Sequence, residues 1–410
     1  MNSLINRGYL FFFTLSVLGL YLAEYAKAVP SIAMIGLTLL AIAHTWNNKP
    51  YWKTNKDLLI LSIGMVLLYA FQFITSDSYG YLNERIQIKL PVMLLPFAFV
   101  LGPAIHRHNL IRIGLVFIAV TFLTQIFILI NFALHTEEYL DLISRSQHIP
   151  GPINHIRFSI MCVMSVTLSY YWLKERPLSQ NPWMKLFLST TFLIGILFLH
   201  AYSVRSGLLA LYGVMLFILF RFWKQTGTIQ TKLLYLVLAI GIPAAAYFFS
   251  PSIQHKTEAT IQDIQSYRSN LNNENNSLGK RMISYKVAFA VFKENPILGC
   301  GIGDLEQTNI DRFRKHFPDV ETVIIPHNQF IYFLMGSGLV GLVLFTGSFF
   351  YPAFYKKNKG FLVWTQYLIL FISFQTEPML ETQLGVAYAI LFILFTRALH
   401  RADAVAIQAA

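Results

Sequence analysis

Long apolar runs, repeated along the whole chain, constrain the fold more than any other feature. Hydrophobic residues make up 55% of the 410 residues and charged residues 13%, which excludes an ordinary soluble protein. Each run is close to the roughly 20 residues that a helix needs to cross a bilayer. The sequence therefore predicts an all-α polytopic membrane protein with about 12 transmembrane helices, at residues 8–26, 29–45, 57–76, 89–106, 111–135, 155–173, 185–203, 206–223, 232–250, 329–352, 361–377 and 384–399.

The distribution of Lys and Arg predicts the orientation of these helices. If the N-terminus is cytoplasmic, seventeen basic residues fall in short loops on that side and six in short loops on the other side. This asymmetry follows the positive-inside rule and explains the net charge of +12 without a nucleic-acid partner. For the first run, a cleaved signal segment ending near Ala26-Lys27-Ala28 is an alternative that leaves the downstream orientation unchanged.

The predicted organisation has three parts. Residues 1–250 hold the first nine transmembrane helices, and residues 329–410 hold the last three with a short cytoplasmic tail. Residues 251–328 form one long outer loop, where a polar patch at 266–277 is expected to lack fixed structure or to form a mobile lid. Beyond it, helical spacing predicts an amphipathic helix over 280–293 near the membrane surface, ended by Asn295-Pro296.

A glycine-rich stretch follows that helix, at residues 299–303. It favours a tight turn, because the strand and the GK[ST] ending of a phosphate-binding loop are absent from the sequence around it. The two cysteines, Cys162 and Cys300, lie in different kinds of segment and indicate neither a disulfide framework nor a cysteine metal site.

His327 and Asn328 lie at the start of the tenth apolar run, so they are expected at a membrane surface. Histidine is the side chain best suited to move a proton near neutral pH, and a helix N-terminus favours negative charge beside it. This combination suits an anionic substrate. The alternative is that both residues only cap a transmembrane helix.

Two arginines are candidates for binding such a substrate. Arg205 stands between two apolar runs with almost no loop, and Arg281 opens the predicted outer helix. A guanidinium group can bind phosphate oxygens through two N–H groups at once, and it does not deprotonate. Two such groups near His327 would therefore suit a pyrophosphate. In the alternative interpretation both arginines extend to lipid headgroups.

Two further polar clusters are predicted at the same surface. One contains His155 and Arg157 at the start of the sixth run, and the other contains Glu377 and Glu381 between the last two runs. For Glu377 the simpler interpretation is that it holds an arginine in place. Glu381 is a candidate to orient His327 or to serve as a base itself.

The order and sidedness of these motifs resemble the O-antigen ligase (WaaL-type, Wzy_C) family. The resemblance covers residues 200–345 and rests on Arg205-Ser206-Gly207, Arg281, the stretch 296–303, His327-Asn328 and the glycine-rich stretch 336–341. It implies a GT-C-like, metal-independent glycosyltransferase of the bacterial inner membrane without a cofactor. Such an enzyme moves a glycan from undecaprenyl pyrophosphate to a sugar of the lipid A core in the periplasm.

The resemblance also implies residue roles. The two essential arginines of the family fall on Arg205 and Arg281, and its essential histidine falls on His327. A late acidic residue of some members falls near Glu377 or Glu381. This chain departs from many relatives at His155-Ile156-Arg157, where they carry a His-Pro-Asn-like motif, so the role of that region is open.

The expected mechanism is an inverting displacement in which His327 takes the proton of the acceptor hydroxyl, or else positions that hydroxyl, while the arginines neutralise the pyrophosphate. The absence of an Asp-x-Asp pair from the sequence is consistent with this metal-independent scheme. An O-antigen polymerase and a protein O-oligosaccharyltransferase are alternatives that use the same donor. A transporter of the lipid-linked glycan is an alternative from another class, but internal repeats, which many transporters have, are not evident in the sequence.

Overall fold

The computed structural model shows a chain that is almost entirely helical. It describes residues 2–409 except 47, 50, 51, 145, 146, 148, 175–177, 179, 226, 227, 250–253, 255, 256, 259, 263, 266–276 and 319–322. The polar patch expected at 266–277 therefore lies almost wholly outside the described residues. No strand occurs in the described part, so the all-α prediction is confirmed.

The helices of the described residues are numbered here in chain order. They are α1 Asn2–Leu22, α2 Ala28–Thr45, α3 Lys56–Thr75, α4 Tyr79–Leu101, α5 Arg107–Leu134, α6 Thr136–Ser144, α7 His155–Lys174, α8 Pro182–Tyr202, α9 Arg205–Gln225, α10 Ile229–Phe249, α11 Ser277–Glu294, α12 Leu305–His316, α13 Gln329–Phe354, α14 Phe361–Thr376 and α15 Gln383–Ala409. Every predicted apolar run overlaps one of them. Short 3₁₀ turns occur at Trp52–Thr54, Lys356–Asn358 and Met379–Glu381.

Nine helices within the described residues are long enough and apolar enough to cross a membrane. They are α1, α2, α3, α5, α7, α8, α9, α13 and α15. Of the remaining three helices that overlap a predicted run, α14 is apolar but has 16 residues, and α4 and α10 fall outside the group of nine. The chain is accordingly a multi-pass membrane protein.

Helix α4 begins earlier than the apolar run predicts. The run starts at residue 89, whereas the helix starts at Tyr79 and includes Arg85 and Lys89, two of the six basic residues predicted to lie in short outer loops. Lys89 is fully buried, and its Nζ lies 2.8 Å from Oε2 of Glu381. Because a buried charge is tolerated when it is paired, the helix continues through residues that their polarity marks as loop.

The chain forms two compact units. The first contains residues 1–110, 262–363 and 374–410, and within it α3 packs against α4 and α13, while α15 packs against α4. The second contains residues 111–261 and 364–373, and within it α7 packs against α8 and α9. Arg281, His327, Glu377 and Glu381 belong to the first unit, and Arg205 belongs to the second.

Helix α13 is interrupted at Gly338, whose φ of 60° lies in the left-handed region. The turn that contains the glycine-rich stretch packs against this break. Leu339 N donates to Pro296 O at 2.9 Å and Val340 N donates to Ile297 O at 3.1 Å, so the break leaves neither donor unpaired. A Cβ on Gly338 would lie 2.4 Å from Ile297 O, which only glycine avoids.

Helix α11 lies against α12 and α13 in the first unit. It covers the predicted helix at 280–293 and ends just before Asn295-Pro296, as expected. Its apolar face is buried in two clusters, one formed by Ile283, Val287 and Phe313 and the other by Ala288, Val291, Leu305, Tyr332 and Met335. This packing fixes the first turns of α11, which carry Arg281 and Tyr285, within the same unit as the start of α13.

Candidate functional site

The start of α13 is built by the side chain of Asn328. Its Oδ1 accepts from the N–H groups of Phe330 at 2.9 Å and Ile331 at 3.1 Å, which is the geometry of a helix N-cap. Its Nδ2 donates to Oε1 of Gln375 at 3.0 Å. Asn328 therefore has the capping role of the alternative interpretation. The residue before it, His327, lies just outside the helix.

His327 is not a cap, because its side chain contacts a carboxylate from another segment. Its Nδ1 lies 3.2 Å from Oε1 of Glu377, fifty positions further along the chain. The imidazole is 28% exposed and the carboxylate is 9% exposed. When Nδ1 carries the hydrogen that bonds to Glu377, Nε2 is left with the lone pair that accepts a proton.

Arg281 shares the same carboxylate oxygen. Its Nη2 lies 3.8 Å from Oε1 of Glu377, and its side chain is 29% exposed. Glu377 thus bridges the two residues that the sequence analysis assigned to proton transfer and to pyrophosphate binding. Its expected function of holding an arginine describes part of this arrangement, and the contact with His327 is an addition to it.

Tyr285 fixes the backbone at the same point. Its hydroxyl donates to the carbonyl oxygen of His327 at 3.1 Å. Burial raises the pKa of Tyr285 and the nearby Glu377 carboxylate raises it further, while Arg281 opposes this rise. The phenol therefore stays protonated near neutral pH and remains a hydrogen-bond donor.

The second carboxylate of the loop between α14 and α15 has other partners. Oε2 of Glu381 contacts Lys89 at 2.8 Å and Arg85 at 3.9 Å, and Oε1 accepts from Gln329 at 2.9 Å. The orienting contact that the sequence analysis considered for Glu381 is made by Glu377 instead. Glu381 lies in the interior and is 6% exposed as a residue.

Arg205 is the first residue of α9 in the second unit, and it is exposed. Before it, Ser203 adopts a left-handed conformation with φ of 51°, which lets α8 end and α9 begin within three residues. Two residues after it, a Cβ on Gly207 would lie 2.5 Å from Ser159 Cβ, so α9 packs closely on α7. These constraints fix the backbone that carries Arg205.

His155 and Arg157 also belong to the second unit, in the first turn of α7. Asn154 precedes this turn, and its Oδ1 accepts from the backbone N–H of Ile156 at 3.2 Å and from Nη1 of Arg157 at 2.9 Å. The cluster therefore organises a helix start. A catalytic role for His155 or Arg157 stays a prediction.

A metal ligand set is not formed by the described residues, since no group of three His, Cys, Asp or Glu side chains converges among them. Cys162 and Cys300 are both free thiols, the first buried and the second half-buried. Burial raises the pKa of Cys300 to about 12, so this thiol stays protonated at physiological pH.

The comparison with protein families bears on this cluster directly. Residues 190–346 match the family described as O-Antigen ligase, Wzy_C, and this stretch contains Arg205, Arg281 and His327. This stretch of the chain is therefore similar to the O-antigen ligase family. The match confirms the family resemblance and supports a glycosyl-transferring class of enzyme in general terms. A search among curated proteins finds no match.

Three residues around the cluster of His327, Glu377 and Arg281 were not predicted from the sequence as site components. Tyr285 reads as part of an amphipathic helix, Gln329 as the start of an apolar run, and Lys89 as a loop cation. A signal existed for Lys89, because a charge at the edge of an apolar run implies a partner. The sequence held no sign of which carboxylate that partner is.

Proposed function

We propose that the protein is an O-antigen ligase. It transfers a glycan from undecaprenyl pyrophosphate to a sugar hydroxyl of the lipid A core at the periplasmic face of the inner membrane. The reaction inverts the anomeric carbon and uses no metal ion. The observation that carries the proposal is the bridge from His327 through Glu377 to Arg281 beside the N-terminus of α13, with His327 and Arg281 both inside the matched O-antigen ligase domain.

His327 acts as the base in this proposal. The acceptor oxygen attacks the anomeric carbon of the donor while the bond from that carbon to the pyrophosphate oxygen breaks. The hydroxyl proton passes to Nε2 of His327, and the bonding electron pair leaves with undecaprenyl pyrophosphate. The 3.2 Å contact of Nδ1 with Glu377 supports this role, because it orients the ring and stabilises the imidazolium that forms.

The arginines stabilise the leaving group. Pyrophosphate gains negative charge as its bond to the sugar breaks, and guanidinium groups compensate that charge without a divalent cation. Arg281 pairs with Glu377 at 3.8 Å and is 29% exposed, which leaves a surface that a diphosphate can reach. We assign Arg205 the same role from its position in the family motif.

A transfer assay with purified protein tests the proposal. The protein is reconstituted in liposomes with EDTA and given a lipid-linked glycan and lipid A core. We expect the mass of the acceptor to increase by one glycan, with release of undecaprenyl pyrophosphate and an inverted anomeric linkage by NMR. Failure of transfer in EDTA that added magnesium restores would contradict the metal-independent mechanism.

Two further acceptors separate the rivals. A second lipid-linked glycan that gains the chain would identify a polymerase, and an acceptor peptide that gains it would identify a protein O-oligosaccharyltransferase. Movement of the intact donor across the liposome membrane without release of undecaprenyl pyrophosphate would identify a transporter instead.

A further inference from the structure

The loop between α14 and α15 carries two carboxylates with different partners. Glu377 contacts His327 and Arg281, whereas Glu381, four residues later, contacts Lys89 and Gln329. The loop between them is tight, with Met379 N donating to Glu377 O at 2.8 Å and Glu381 N donating to Pro378 O at 2.9 Å. Glu377 and Glu381 are therefore joined by a short, hydrogen-bonded stretch of backbone.

Gln329 fastens this loop to the start of α13. Its Nε2 donates to Oε1 of Glu381 at 2.9 Å, and its Oε1 accepts from the backbone N–H of Leu380 at 2.7 Å. Gln329 is fully buried and lies two residues after His327. One amide side chain thus joins the element that carries the imidazole to the loop that carries its carboxylate partner.

Lys89 supplies the charge that keeps Glu381 in the interior. Its ammonium is fully buried and lies 2.8 Å from Oε2 of Glu381, on the side of the carboxylate that Gln329 does not use. A buried carboxylate needs both a counter-charge and hydrogen-bond donors to be stable there. With both present, Glu381 is held on each of its two oxygens.

We propose that Gln329, Glu381 and Lys89 form a positioning network that sets the contact between Glu377 and His327. None of the three touches the substrate in this scheme. They act through the loop 377–382, which they hold against the start of α13. The inference rests on the proposed function, since the contact they set is the one that orients the catalytic base.

The test compares Gln329→Met with Gln72→Met. Methionine keeps the length and volume of glutamine but removes the hydrogen bonds. Gln72 is a matched control, because it is also fully buried in the same unit and its Oε1 also accepts from a loop N–H, that of Ile302 at 2.9 Å. The control releases the glycine-rich turn at 299–303 and leaves the loop 377–382 in place.

Two readouts are measured on both variants. In Gln329→Met, amide hydrogen exchange in the loop 377–382 should become about tenfold faster, because the bonds to Leu380 and Glu381 are gone. Turnover of the folded protein should fall by about 10- to 100-fold while KM for donor and acceptor changes little. In Gln72→Met, faster exchange should appear at 299–303, with turnover unchanged.

Each outcome has a defined meaning. Wild-type turnover in Gln329→Met, or faster exchange at 377–382 without loss of turnover, overturns the inference but leaves the proposed function intact. An inactive wild-type protein overturns the proposed function and the inference with it. If Gln329→Met does not accumulate as folded protein, the neutral pair Lys89→Met with Glu381→Gln replaces it, with the same expected direction in both readouts.

Discussion

Two ionic clusters in the first unit use similar side chains but differ in how exposed the partners of the carboxylate are. Both carboxylate oxygens of the buried Asp57 are bound, by Arg397, Arg401 and Asn358. Asn358 is fully buried and the side chain of Arg397 is 5% exposed, while that of Arg401 is 21% exposed. Glu377 is also mostly buried, but its partners His327 and Arg281 are each more than a quarter exposed.

This difference separates a structural cluster from a functional one. A carboxylate that is bound on both oxygens by mostly buried partners, away from His327, is expected to stabilise the fold. A carboxylate whose partners reach the surface passes its orientation and charge to whatever binds there. The contrast predicts large effects on transfer at the Glu377 cluster and effects on stability alone at the Asp57 cluster.

Removal of the imidazole should break the transfer reaction most severely. His327→Ala is expected to lower the transfer rate by about 10²- to 10⁴-fold, the usual contribution of a general base. Because the side chain is partly exposed, the amount of folded protein should change little. His316→Ala is the control, since it removes an exposed imidazole from α12 in the same unit. A transfer rate above a tenth of wild type in His327→Ala would rule out the base.

Removal of the Arg281 side chain should lower the transfer rate slightly less than removal of the His327 imidazole. Arg281→Ala is expected to lower transfer by about 10²- to 10³-fold, the typical cost of losing one charge contact to a leaving group. Arg205→Ala should have the same effect. Arg312→Ala is a matched control, because Arg312 also pairs with a carboxylate, that of Glu294, and is 25% exposed. Equal rates in Arg281→Ala and Arg312→Ala would refute the role of Arg281.

Neutralising the Glu377 carboxylate should lower the transfer rate less than removal of either His327 or Arg281. Glu377→Gln keeps the size of the side chain but removes the charge that orients His327, so transfer should fall by about 10- to 100-fold. The rate constant is measured with both substrates saturating, with Glu294→Gln as the control. A transfer rate equal to that of wild type in Glu377→Gln would rule out the orienting role of Glu377.

The predictable and unpredictable parts of this molecule follow different physical rules. Apolar runs of about 20 residues specify helices locally, because only a helix satisfies its own backbone in hydrocarbon. Because the limits of an apolar run can be read from the sequence, the position of His327 at the edge of such a run could be predicted. Its contact with Glu377 was not, since the two residues are fifty positions apart and polarity alone does not pair them.

Helix α4 shows the limit most clearly. The hydropathy pattern places Lys89 at the very edge of the membrane run, whereas the helix extends back to Tyr79 and the cost of burying Lys89 is offset by Glu381, 292 positions away. The sequence left open whether Glu381 orients His327 or serves as a base, and in the structure it is Glu377 that contacts the imidazole. Which of two nearby carboxylates faces the imidazole depends on the turn between them, and that turn is held by Gln329.

The smallest expected effect on transfer is at the Asp57 cluster. Asp57→Asn leaves Arg397 without its buried counter-charge, which should lower the stability of the fold by about 3–5 kcal/mol. The turnover of the remaining folded protein should equal that of wild type. Thermal unfolding in detergent and turnover per folded molecule measure the two effects separately.

Adding Arg397→Met should recover part of the stability, because the uncompensated charge is then removed. A loss of turnover comparable with that of Glu377→Gln would mean that burial of its partners does not confine a carboxylate to a structural role, and the distinction between the two clusters would fail.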